Sequence, residues 1–158
     1  MKATVQWKEN MTFVGTPDSG FPVQMDSDPG YGGTNSGVRP MELIALGLAG
    51  CAAMDVIAIL QKKRQQVMEF EVKVYAPRSP EYPKVFTRAQ LTYMVIGKSI
   101  SEEAVLRSIE LSVTKYCPAQ VMLVQAFPME LRYEIYEAQA EGNHHLTFQG
   151  IWQAVSTE

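Results

Sequence analysis

The chain has 158 residues, 46% of them hydrophobic and 20% charged, which is the size and balance of one globular domain and leaves little length for a second. A formal net charge of −3 and a pI near 5.5 give no basic surplus, which argues against nucleic acid and anionic lipid surfaces as partners. The start, MKATVQWKEN, has no apolar run of signal-peptide length, so the expected compartment is the cytoplasm. Two cysteines in a reducing compartment are seldom a structural staple and are too few for a zinc site unless His or carboxylate completes it. They read either as buried packing or as redox chemistry.

In chain order, residues 4–7, 11–14 and 21–25 are short β-prone runs separated by turn-forming stretches, which predicts a small antiparallel meander. Residues 27–37, SDPGYGGTNSG, have no periodicity and read as a loop that something downstream must fix. Pro40 then opens MELIALGLAGCAAMDVIAILQKKRQQ, rich in Ala, Leu and Met with no internal proline, which predicts one helix over 40–65. Residues 43–60 carry a single charge, Asp55, so this helix is apolar nearly all round and needs cover on most sides. Its length touches the lower limit of a membrane span, but the mid-helix Asp55, the glycines Gly47 and Gly50 and the strand-like flanks favour a buried central helix.

Beyond Lys62-Lys63-Arg64, residues 69–75 alternate as EFEVKVY and 86–96 alternate less strictly, giving two strands joined through APRSPEYP. Ser99 and Ser101 with Glu102 and Glu103 mark a helix start, and Ala104, Val105 and Ile109, with Leu106 and Val113, carry the helical period to about Lys115. At Cys117-Pro118, proline suits the first helical turn and forces its predecessor out of helical geometry, so Cys117 is the expected N-cap of a helix reaching about Phe127. Residues 129–136 form a last strand. Residues 138–158 are an extension in which 146–155 hold enough apolar side chains to dock. The order is α+β with mainly antiparallel pairing, since no regular βαβα alternation is present.

The chemistry centres on the cysteines. Cys51 lies inside the apolar helix among Gly47, Gly50, Ala52 and Ala53, where small neighbours allow either close helix packing or access of a small substrate to sulfur. Apolar surroundings and Asp55 one turn on disfavour its thiolate, so a reactive Cys51 needs a cation. Arg39 is the nearest in sequence, but a rise of about 1.5 Å per residue sets it more than about 15 Å away along the axis, within reach only from a second chain packed antiparallel. Glu42 falls on the face opposite Cys51. Cys117, at a helix N-terminus near Lys115, looks the more acidic thiol, with an inert N-cap as the alternative. His144-His145 is read as a solvated pair and Tyr93, Tyr133 and Tyr136 as sheet-face residues.

Two segments, GVRPMELIALGLAGCAAMDVIAIL and LSVTKYCPAQVML, resemble the two signature regions of the OsmC/Ohr superfamily, with the P-x-E-L start and the AxDVxxIL ending closest to its YhfA-like branch. The resemblance covers residues 1–137 as one OsmC-like domain. It implies antiparallel sheets wrapped around a long buried central helix in an intertwined homodimer. It also implies reduction of organic hydroperoxides without metal, haem or flavin, with Cys51 peroxidatic, Cys117 resolving, and a small dithiol or lipoyl-type reductant. The arginine that Ohr enzymes carry in an early loop has no counterpart in 25–33, which leaves Arg39 as its substitute, and Glu42 stands one position from the family's glutamate. The competing function is a redox-sensing or apolar-ligand-binding protein without peroxidase activity.

Overall fold

The computed structural model describes residues 1–153 and divides the chain into two compact units, residues 1–46 and 47–158. In the first unit, β1 (Ala3–Glu9), β2 (Thr12–Pro17) and β3 (Val23–Met25) form the expected antiparallel meander in the order β1-β2-β3. The loop that follows is not left free. A single turn at Pro29–Tyr31 is capped by the Asp28 side chain, and a bridge between Met25 and Val38 returns the chain beside β3. Asp26, 3% exposed, accepts hydrogen bonds from the backbone of Ser27, Thr34 and Ser36 and from the hydroxyls of Thr34 and Ser36. Those bonds, the Ser36 amide foremost, outweigh burial and hold the carboxyl well below the usual carboxylate range.

Helix α1 (Pro40–Lys62) starts where proline predicts. Glu42 at its third position accepts the Arg39 backbone N–H at 2.8 Å, half of a capping box. The helix stops three residues short of the expected end, because Arg64 turns to a φ of 56° and breaks the repeat. Within the single chain it buries one stripe, Leu48, Ala52, Val56 and Leu60, spaced four apart and so on one face. Ile44, Leu46 and Met54 remain exposed, so the cover expected on most sides is present on that stripe only. Length and a mean hydropathy of 2.3 would suit a membrane crossing, but the stripe is spent on a protein core.

The second unit is built on a four-stranded sheet of order β4-β5-β6-β7, formed by β4 (Gln66–Tyr75), β5 (Ala89–Lys98), β6 (Met129–Ala138) and β7 (His144–Trp152). The α+β class holds, but this sheet is mixed. β5 and β6 run parallel, because the segment between them crosses over through α2 (Glu102–Leu111) and α3 (Pro118–Leu123). The strand expected from residue 86 begins at Ala89, residues 86 and 78 forming only an isolated bridge. The extension after Ala138 supplies β7, antiparallel to β6, through residue 152; residues 154 and 155 of the apolar segment lie outside the described residues.

Alternate residues of β5 (Leu91, Tyr93, Val95) and of β6 (Leu131, Tyr133, Ile135) share one core with the α1 stripe and with Ala104, Val105 and Ile109 of α2. Burying a side chain of the Leu or Ile class contributes about 1.5–3 kcal/mol each, so this cluster fixes where α1 and the crossover sit.

Candidate functional site

The helix that begins with α2 reaches Lys115 as expected, but its last turn is not α. Residues Ser112–Tyr116 form a wide π turn, in which the Cys117 N–H donates to the Ser112 carbonyl at 2.8 Å, five residues back. Pro118 then opens α3, and Cys117 is its N-cap with extended φ −81° and ψ 98°. This placement carries the Cys117 side chain inward, where it is 0% exposed and packs in the core.

Cys51, half-buried on α1, borders the same core, and its thiol is near enough to that of Cys117 to influence its ionisation. Both are free. The pair that is far apart in sequence is thus joined by the α1 stripe on one side and the π turn on the other. Neither feature could be read from spacing.

The expected acidity of Cys117 is overturned. Burial pushes its thiol up to about 12 from an ordinary 9.0. The Gln120 backbone N–H at the start of α3 acts the other way, as a helix N-terminus should, but is outweighed; the neighbouring Cys51 thiol and the Asp55 carboxylate push further up. A short helix with a sealed N-terminus cannot compensate for loss of water around sulfur.

A row of polar side chains runs beside the thiols. Asp55 lies one turn beyond Cys51 on α1, with Oδ2 3.4 Å from Ser112 Oγ. Ser112 Oγ is 3.3 Å from Gln120 Oε1, and Gln120 Nε2 donates to Tyr93 Oη at 3.0 Å. Ser112, Gln120 and Tyr93 are each 1% exposed or less. Tyr93 is a sheet-face residue of β5, as read from sequence, and from that face its hydroxyl enters this row, where burial raises the phenol well above the ordinary range. Ser112 and Gln120 are the residues that the sequence reading missed. The available signal was Gln120 in the first turn after Cys117-Pro118, a polar side chain at a position whose helix face must be buried.

Arg39 and Glu42 belong to the first unit. There the Arg39 guanidinium donates to the carbonyls of Asp26 at 3.2 Å and Gly37 at 2.9 Å and to the Asn35 side chain, so it is the downstream group that ties the loop. Glu42 holds the Arg39 backbone. Among the described residues no group of three His, Cys, Asp or Glu side chains is placed to hold a metal ion.

The chain matches the family model described as OsmC-like protein over residues 33–132, which include both thiols and the whole polar row. It is 38% identical over 138 residues to protein YhfA of Escherichia coli K12, covering 87% of this chain and all of that one. Two solved structures share the fold: an OsmC-like protein from Mycoplasma pneumoniae (TM-score 0.69, 18% identity, 87% of this chain and 96% of that one) and an organic hydroperoxide resistance protein from Elizabethkingia anophelis (TM-score 0.61, 17% identity, 84% and 92%).

Proposed function

This chain belongs to the OsmC-like protein family, and from that premise we propose that it is a cysteine-based thiol peroxidase acting on organic hydroperoxides. The observation that carries the proposal is that two free thiols, one half-open and one sealed, meet at one core. A structural pair would be equally buried. Here the half-open Cys51 is the group that a substrate meets first.

In the proposed cycle the Cys51 thiolate attacks the hydroperoxide oxygen, the O–O bond breaks, and the alkoxide leaves as alcohol after taking a proton. Sulfur is left as sulfenic acid. Cys117 then attacks Cys51 sulfur, the S–O bond breaks, water departs, and the two sulfurs form a disulfide. A small dithiol or lipoyl-type donor restores both thiols by two exchanges. Arg39 of a second copy is proposed as the cation that favours the Cys51 thiolate, with Glu42 fixing the backbone at Arg39. The apolar flanks of Cys51 favour bulky organic hydroperoxides over hydrogen peroxide.

The uncovered α1 residues Ile44, Leu46 and Met54 support a homodimer in which a second copy covers them. Sedimentation at micromolar concentration should give twice the chain mass; a stable monomer would contradict this. For the activity, the purified chain with a dithiol donor is given an organic hydroperoxide and, separately, hydrogen peroxide. Faster consumption of the organic substrate with loss of both thiols supports the peroxidase. Two thiols that survive both oxidants would leave a family member that senses redox state or binds apolar ligands without peroxidase chemistry.

A further inference from the structure

The polar row beside the thiols is one hydrogen short. Because Gln120 Nε2 donates to Tyr93, its Oε1 is the atom facing Ser112 Oγ at 3.3 Å, and it can only accept. The other neighbour of Ser112 Oγ, Asp55 Oδ2 at 3.4 Å, is also an acceptor while the carboxylate is ionised. A hydroxyl donates one hydrogen, so Ser112 serves only one of the two at a time. Both contacts are long for O–H···O bonds, as expected of two acceptors competing for one donor. A proton on Asp55 completes the row: Asp55 donates to Ser112, Ser112 to Gln120, and Gln120 to Tyr93.

Cys117 has the complementary need. Its enclosed thiol must lose a proton before sulfur can attack, and the groups acting on it or on its neighbour Tyr93 are Cys51 and Asp55 on α1, Tyr93 on β5 and the Gln120 amide on α3. Of these, Asp55 is the one carboxylate, the kind of group that can take up a proton and give it back. Cys51 and Asp55, four residues apart on α1, lie on the same helix face, which puts the carboxylate on the side where the two sulfurs meet.

Building on the thiol-peroxidase reading, we infer that the Asp55 carboxylate receives the Cys117 proton as Cys117 closes onto the oxidised Cys51, with Ser112 and Gln120 as positioning residues. The step balances. The Cys117 S–H bond breaks and its proton goes to Asp55; the sulfur electron pair forms the S–S bond; the Cys51 S–O bond breaks; and the departing hydroxide takes the proton back from Asp55 as water. Sulfenic sulfur is reduced, thiol sulfur is oxidised, and Asp55 ends as it began.

The test uses 5,5′-dithiobis(2-nitrobenzoate) on the full chain, so that no hydroperoxide is involved. Cys51 takes the reagent and releases one coloured thiolate, and Cys117 then displaces the second as the disulfide closes. In Asp55→Asn the second phase should slow by roughly 10²-fold at pH 7, the scale of a lost general base, and should rise in proportion to hydroxide. Asp55→Glu should recover most of the rate. Ser112→Ala, which leaves every charge in place, is the second arm if Asp55→Asn does not fold: a slower second phase is expected. A second phase with the wild-type rate and pH profile in Asp55→Asn, or in Ser112→Ala where that arm decides, would overturn the inference, as would release of a single equivalent by the wild type. Organic hydroperoxide given to the wild type in parallel separates the two ideas. Two-phase exchange without hydroperoxide consumption removes the peroxidase and leaves the proton transfer standing.

Discussion

Cys51→Ser isolates Cys117 and makes its protonation measurable. Burial is the first cause of the rise from 9.0 to about 12 and does not depend on Cys51, so the variant should keep most of the shift. Each pH unit is a factor of ten in thiolate, so three units leave Cys117 ionised about 10³-fold less at pH 7 than an ordinary cysteine. Alkylation by iodoacetamide, followed by mass, should therefore be at least that much slower in the folded variant than in the same chain in denaturant. Enclosure slows the reaction further, so the pH profile carries the argument. The folded rate should climb tenfold per unit through pH 9 to 11 without levelling, whereas the unfolded chain levels near 9. A plateau at or below pH 9 in the folded variant would refute the reasoning and return the acidic thiol to the helix N-terminus. The same variant should also be inert as a peroxidase in its first step.

Cys117→Ser should consume a single equivalent of organic hydroperoxide and stall as a sulfenic acid, detected by dimedone and by later over-oxidation or pairing between chains. Leu60→Ala removes a fully buried side chain from the α1 stripe and should cost about 2–5 kcal/mol in urea unfolding, with Ile59→Ala on the neighbouring face as the milder comparison. For Asp26, whose carboxyl is held below the ordinary range, the sign is fixed. Its stabilisation is complete above the unfolded value of 3.8 and is lost as pH falls through the lower folded value. Amide exchange at Thr34 and Ser36 should accelerate in Asp26→Ala at neutral pH, and unchanged protection there would show that the carboxylate does not organise the loop.

Local chemistry was readable where a local rule governs. Pro40 set the start of α1, and Cys117-Pro118 set an N-cap, because both depend on the geometry of one or two peptide units. The period of residues 69–75 gave β4, for the same reason. What spacing could not supply were the non-local terms. The parallel pairing of β5 with β6 depends on where the crossover lands. β7 was missed as a strand because its register shifts opposite Ile135 and Tyr136, which breaks the alternation of 144–152. Ser112 and Gln120 are buried because the π turn sets the direction in which they point, and no local period announces that turn. The acidity of Cys117 was judged from the helix N-terminus, which acts as expected, but the desolvation that defeats it belongs to the assembled core. For Arg39, sequence distance ruled out action on Cys51 along one helix; its actual bonds, to Asn35, Gly37 and Asp26, were legible only in the vague requirement that something fix the loop.

The surplus residue in the turn Ser112–Tyr116 makes chain length here a chemical variable. A π turn is an α-helix carrying one residue too many, and removing that residue would let the helix close normally. Every side chain after the deletion would then rotate by about 100° and shift by about 1.5 Å relative to α2. Cys117 would leave the face it shares with Cys51, and Gln120 would leave Tyr93, although every amino acid used in the chemistry would still be present. The connection at 76–88, by contrast, can gain or lose a residue at small cost because loop closure depends only weakly on length. In this protein, then, a single-codon deletion in one helical turn is expected to be as damaging to the thiol pair as substitution of a cysteine.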